Sequence, residues 1–196
     1  MTATFLDRLT AYAIDILIVG LIISLICIPL PNRSSEVSDE INELANKYAT
    51  NEINETTLMD EYEEILYSNQ KKEFPRLVVD FVITFAYFVV FQYLNKGKTI
   101  GKSLMKLQVV DNETDKPISI MRGFIRSLFV LGILSSITRV IGIKFLPREL
   151  YSVAYSFITL GEYVFIISSL VLILSKQGKG LHDIITGTKV IKERRG

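Results

Sequence analysis

The sequence predicts an all-α membrane protein: a four-helix transmembrane bundle with a small cytoplasmic β-pairing and an extracytoplasmic helical hairpin. Three observations predict it. Mean hydropathy is +0.34, where a soluble domain of this length falls near or below zero. The apolar residues are gathered into long blocks instead of recurring with helix or strand period, a pattern that asks for lipid as the solvent. Charge, nearly balanced in total at +1, is segregated along the chain.

A helix needs ~20 apolar residues to cross a ~30 Å hydrocarbon core. Four blocks qualify: 9–30, 77–94, 119–141 and 151–174. The first ends in Ile28-Pro29-Leu30-Pro31 without a small-x-small cleavage site and is longer than a signal h-region. It is read as a membrane helix and not as a signal peptide. The third carries Arg122, Arg126 and Arg139; it spans, or it is a tilted or re-entrant helix.

Lysine and arginine set the orientation. Segment 32–75 holds four basic residues against eleven acidic ones, a net charge of −7. Segment 95–118 has five lysines and three acids, and 175–196 has six basic residues and two acids. With the basic side inside, the chain is one domain, 1–196, in a multi-pass arrangement in the cell membrane. Its N-terminus, the 95–118 loop and the 175–196 tail are cytoplasmic, and 32–75 is an acidic extracytoplasmic insertion. Only an even number of spans reconciles these charges.

Within the insertion, Ile41, Leu44, Ala45 and Tyr48 lie at helical spacing, as do Leu58, Tyr62, Ile65 and Leu66. Thr57 followed by Asp60 resembles a capping box. Two short amphipathic helices are expected, the alternative being a solvated acidic loop. In the inner loop Lys98, Lys102 and Lys106 recur every fourth residue beside Ile100, Leu104 and Leu107, the pattern of a short basic helix on an anionic leaflet. Residues 107–110 and 188–191 read as strands able to pair.

With one cysteine, Cys27, and one histidine, His182, no intramolecular disulfide and no His/Cys metal cluster can form. Gly97-Lys98-Thr99-Ile100-Gly101-Lys102-Ser103 has three residues between its glycines where a phosphate-binding loop needs four. The His182-Asp183 pair has no nucleophile beside it in sequence. No enzyme activity, cofactor, metal or nucleic-acid partner is expected; the expected partners are the lipid bilayer, monovalent cations, protons and a second copy of the chain.

Charges inside the apolar blocks are expensive and must face protein or water. Arg8, Tyr12 and Asp15 share a face of the first helix, with Asp15 ~9 Å into the apolar layer. Arg126 lies at similar depth on the third helix and is the expected partner of Asp15. Asp80 and Arg139 fall near the outer ends of their helices, and Glu162 near the midplane without an obvious partner. These charges lock helices together, or they line an ion or proton path. Asp183 is expected to pin the tail by pairing with Arg8.

The combination has a specific order. It comprises Arg8 and Asp15, Gly97-Lys98-Thr99-Ile100-Gly101-Lys102-Ser103-Leu104 leading into Leu107-Gln108-Val109-Val110-Asp111, Arg122 and Arg126, and Gly180-Leu181-His182-Asp183 leading into Gly187-Thr188-Lys189-Val190. It resembles the RDD family of bacterial membrane proteins over nearly the whole chain. The family's arginine and two aspartates then correspond to Arg8, Asp15 and Asp183. Segment 32–75 has no counterpart in the family pattern, and Lys102 stands where arginine is usual. The resemblance implies a membrane location, no cofactor and a transport role, with cation/proton exchange among its members. Two functions are therefore expected: a small transporter using Asp15, Glu162 and Arg126, or a scaffold that presents the acidic outer hairpin to a partner. A polar cavity reaching Asp15 favours the first; a dry, fully paired Asp15 favours the second.

Overall fold

The structure is a computed structural model that describes residues 2–30, 32–130, 132–175 and 178–193. Pro31 and the expected tail residues 176–177 and 194–196 lie outside the described residues.

Helix α1 spans Phe5–Ile26. It starts four residues before the apolar block because Thr4 and Asp7 cap it reciprocally: the Thr4 hydroxyl accepts the Asp7 N–H, and the Asp7 carboxylate accepts the Thr4 N–H. Helix α4, Phe74–Leu94, begins on Pro75, whose missing N–H costs nothing in a first turn. It contains one π-helical turn, Ala86–Phe91, and buries Tyr87, Phe88 and Val89 there. Between them lie α2, Ser34–Ala49, and α3, Glu55–Lys72, which pack on each other. The cap of α3 is Asn54, which accepts the Thr57 N–H at 2.9 Å; Thr57 and Asp60 do not form the expected capping box.

After α4 comes α5, only Ile100–Leu104, capped by Thr99. The expected basic face does not form on it. Lys106 lies beyond its end at φ 56°, Lys98 precedes it and pairs with Glu193, and Lys102 turns inward. Strands β1, Leu107–Asp111, and β2, Thr188–Lys192, pair antiparallel with Val109 opposite Val190. The chain start joins them, since the Ala3 N–H donates to the Val190 carbonyl at 3.0 Å. Ala3, Ala11, Leu107, Val109, Ile118 and Val190 form the core beneath.

The third apolar block is two helices, α6, Ile120–Val130, and α7, Ile133–Phe145, whose axes meet at 78°. Gly132 stands at the break with φ +63°, a conformation that suits glycine. Helix α8 is Arg148–Leu174, and a short α9, Leu181–Thr186, leads into β2. Among the described residues three helices, α1, α4 and α8, are long and apolar enough to cross a membrane, and α6 with α7 makes a fourth crossing only if the bent pair counts as one. Leu17 (73 %), Leu21 (62 %) and Phe157 (72 %) are exposed. So much apolar surface is at home only against lipid.

The packing leaves the bundle open on one side. Helix α1 packs on α4, α5 and β1, and α8 on α3, α6, α7 and α9, with little direct packing between α1 and α8. The β-pair, the chain start and α9 gather at one end. At the other end α3 is tied to the α7–α8 turn: the Tyr67 hydroxyl donates to the Leu146 carbonyl at 2.8 Å, and Arg148 pairs with Asp60 at 2.5 Å and Glu64 at 3.3 Å.

Candidate functional site

Two carboxylates organise the end that carries the β-pair. Asp15 on α1 is buried at 1 % exposure. It accepts from the Tyr87 hydroxyl at 2.6 Å, the Thr99 hydroxyl at 2.5 Å and the Gly101 N–H at 2.7 Å. The Tyr87 hydroxyl in turn accepts the Ile100 N–H at 3.1 Å. The π-turn of α4 and the first turn of α5 thus close over one carboxylate. Gly101 makes this possible, because a Cβ there would lie 2.1 Å from the Ala11 carbonyl oxygen. The expected Arg126 partner goes to Asp183 instead, and neutral groups stabilise Asp15.

Arg126 goes to the second node. Asp183, fully buried on α9, takes Arg8 Nη1 on one oxygen at 2.7 Å and Arg126 Nη1 on the other. It also accepts the Gly180 N–H at 3.1 Å. Arg8 reaches further, to the Gly178 carbonyl at 2.7 Å, and Arg126 to the Thr188 hydroxyl at 2.8 Å. Burial pushes the Asp183 carboxyl up. Arg126, then His182 and Arg8, more than offset this and hold it well below the usual carboxylate range. The cluster staples α1, α6 and α9 together.

His182 sits beside it with Nδ1 2.8 Å from the Ser169 hydroxyl. Burial, reinforced by the Arg126 charge, lowers its pKa to about 3, so the imidazole is neutral. That hydroxyl accepts the Leu181 N–H at 3.1 Å and is left to donate to Nδ1. Lys102 Nζ donates to Gln92 Oε1 at 2.5 Å. Burial, followed by Arg126, lowers the Lys102 pKa to about 7, against the opposing pull of Asp15 and Asp183.

Between α1 and α8 lies a cavity of about 320 Å³, within the size range of ligand pockets. Asp15, Gln92, Lys102, Arg8, Arg126 and His182 are in its lining, and the rest of the wall is mostly apolar, with Phe5, Leu9, Ile166 and Leu170. Asp15 therefore borders a cavity while its oxygens are already taken, a combination that neither alternative drawn from the sequence describes.

The other expected residues lie elsewhere. Glu162, buried on α8, is not unpartnered: its Oε1 accepts the Ser135 N–H at 3.0 Å, in the first turn of α7. It replaces the cap that Gly132 cannot supply. Asp80 on α4 interacts electrostatically with Arg139 on α7, away from the cavity. Arg122 pairs with Asp111 and braces β1. Tyr87, Thr99 and Gln92 were missed by sequence reasoning. Only Gly101, a glycine seated in a helix start, signalled a close approach.

A family model described as the RDD family matches residues 2–187 of the chain. No curated protein matches it, and no solved structure does.

Proposed function

We propose a function from one premise: the chain belongs to the RDD family. It is a multi-pass membrane protein, and we read it as a small proton-linked carrier and not an enzyme. One observation carries the reading. The cleft between α1 and α8 has in its wall a half-buried lysine, Lys102, held by Gln92 at 2.5 Å, with desolvation lowering its pKa to about 7. A group that titrates near the working pH inside a ligand-sized cavity can couple a proton to a solute. The exchanging group in this reading is Lys102. Asp15 and Glu162, the candidates from sequence, hold helices in place: each accepts backbone N–H groups that would otherwise be stranded.

Exchange of a monovalent cation for a proton is the second reading, and one feature favours it. Asp15 and Gln92 oxygens border the same cavity as Lys102, so a deprotonated lysine would leave a negative site beside the vacated charge. The acidic pair α2 and α3, standing as a hairpin outside the cell with both termini inside, belongs to the same proposal.

Proton flux in liposomes tests it, with cation and organic-anion gradients imposed in turn. Wild type should couple at least one gradient to proton movement. Lys102→Gln should abolish the coupling while leaving a folded protein, and Asp15→Asn should lower the melting temperature first. No coupling for any solute in wild type would leave the scaffold reading, in which α2 and α3 meet a partner.

A further inference from the structure

The cavity is asymmetric in a way that names its ligand. Its lining holds two arginines, Arg8 and Arg126, and one lysine, Lys102. One carboxylate, Asp183, answers the two arginines, and Asp15 is satisfied by neutral donors. A phosphate beside Lys102 would hold its ammonium protonated, and three cations would then face the two carboxylates, leaving room for one more anion. Arg8 Nε is buried without a hydrogen-bond partner, an arrangement that folded proteins tolerate rarely. The rest of the cavity is apolar and lies where α1 and α8 hardly touch, so it opens sideways between two membrane-spanning helices. Arg8, Lys102 and Arg126 lie beside the β-pair and the chain start: Arg126 bonds the Thr188 hydroxyl of β2, and Lys102 is on the helix that leads into β1, at the level of a bilayer's headgroups. Basic pockets between membrane helices at that level are suited to anionic headgroups.

Resting on the reading of this cleft as the ligand site, we infer that it holds an anionic membrane lipid. The phosphate sits among Arg8, Arg126 and Lys102, and an acyl chain lies along Leu9, Ile166, Leu170 and Ile173. Entry is from the bilayer, between α1 and α8. A free anion would share the phosphate contacts but make none with the apolar wall.

The test is thermal unfolding of the protein purified and delipidated in a neutral detergent. Phosphatidylglycerol, phosphatidylcholine or inorganic phosphate is then added, and retained lipid is identified by mass spectrometry. Phosphatidylglycerol should raise the melting temperature by several degrees and be the retained species, and the other two should not. Lys102→Gln should weaken the response from the headgroup end, and Leu170→Trp should weaken it by filling the apolar end. If Lys102→Gln fails to fold, Leu170→Trp carries the comparison, because its side chain lies outside the charged cluster. Equal responses to phosphatidylglycerol and phosphatidylcholine would overturn the inference. So would an inorganic phosphate response as large as the lipid's, or a wild-type response in Leu170→Trp. Lipid selectivity without any proton coupling in liposomes would remove the carrier reading alone. Proton coupling without lipid selectivity would remove this inference alone.

Discussion

Gly101 is the residue on which the Asp15 node depends. A methyl group there would lie 2.1 Å from the Ala11 carbonyl oxygen and 2.8 Å from Asp15 Oδ1. Both neighbours belong to α1 and cannot move singly. Gly101→Ala should therefore cost about 1–3 kcal/mol as an overpacked contact, read as a lower melting temperature in detergent. The sequence marked Gly101 and Asp15 separately, but it could not join them, because the contact spans 86 residues and is made by a backbone N–H. The Arg8–Asp183 pair was legible: a charge at each end of the chain, both assigned to one face of the membrane, needed a partner. Arg126 was misassigned because depth along a helix does not say which neighbour it faces. His182 yields the pH dependence. Its folded pKa of about 3 lies below the ~6.5 of free imidazole. Between those values the unfolded chain binds the extra proton, so stability falls as pH drops from about 6.5 toward 3, by at most ~1.4 kcal/mol per pH unit. Above pH 6.5 this contribution is constant. The depressed Asp183 carboxyl also loses stability in acid, but only below its unfolded pKa of ~3.9, so between pH 5 and 6.5 it does not obscure the His182 contribution. Melting curves of wild type and His182→Asn across that range should diverge, the variant being the flatter.

At the scale of elements, the break between α6 and α7 is where the third apolar block departs from a simple span. Its three arginines already marked it in the sequence as abnormal, and two of them bind Asp183 and Asp111 at the end with the β-pair. The break itself was not legible. It depends on Gly132 at φ +63° and on a carboxylate from another helix, Glu162, arriving at the first turn of α7. The π-turn in α4 was equally hidden, since nothing in an apolar run distinguishes a five-residue hydrogen-bond step from a four-residue one. The Glu162 cap can be tested directly. Removing an acceptor from a helix N-terminus costs about 0.5–2 kcal/mol, and a negative charge there adds a dipole contribution. Glu162→Ala should speed amide exchange in the first turn of α7 and leave α1 and α4 unchanged. Glu162→Gln keeps an oxygen for the Ser135 N–H and should fall between the two. Uniform loss of protection over all helices would mean that Glu162 supports the bundle in some way other than this cap.

At the scale of the whole molecule, the contacts decide how often the chain changes ends. The N-terminus joins β2 at one end, and α1 carries the chain away from it. After α2 and α3, helix α4 returns it to α5 and β1, where Lys98 meets Glu193. The bent pair must then carry it back, because Arg126 in α6 lies at the β-pair while Arg148, just after α7, meets Asp60 and Glu64 on α3. A re-entrant loop would have left Arg148 at the β-pair. Helix α8 completes the return to α9. With the bent pair counted as one broken crossing, the number of changes is even, as the charges along the sequence require. The end with the β-pair carries 95–118 and the described residues 178–193 of the tail; in sequence 95–118 and 175–196 are both net basic, while 32–75 carries −7. Positive charge is retained in the cytoplasm, so the β-pair should be inside and α2 outside. In a Cys27→Ser background, Asp39→Cys on the exposed face of α2 should react with a membrane-impermeant maleimide in intact cells. Glu113→Cys, in the turn after β1, should react only once the membrane is permeabilised. The reverse labelling would invert the orientation, and labelling of both sites in intact cells would overturn the separation of the two ends by a membrane.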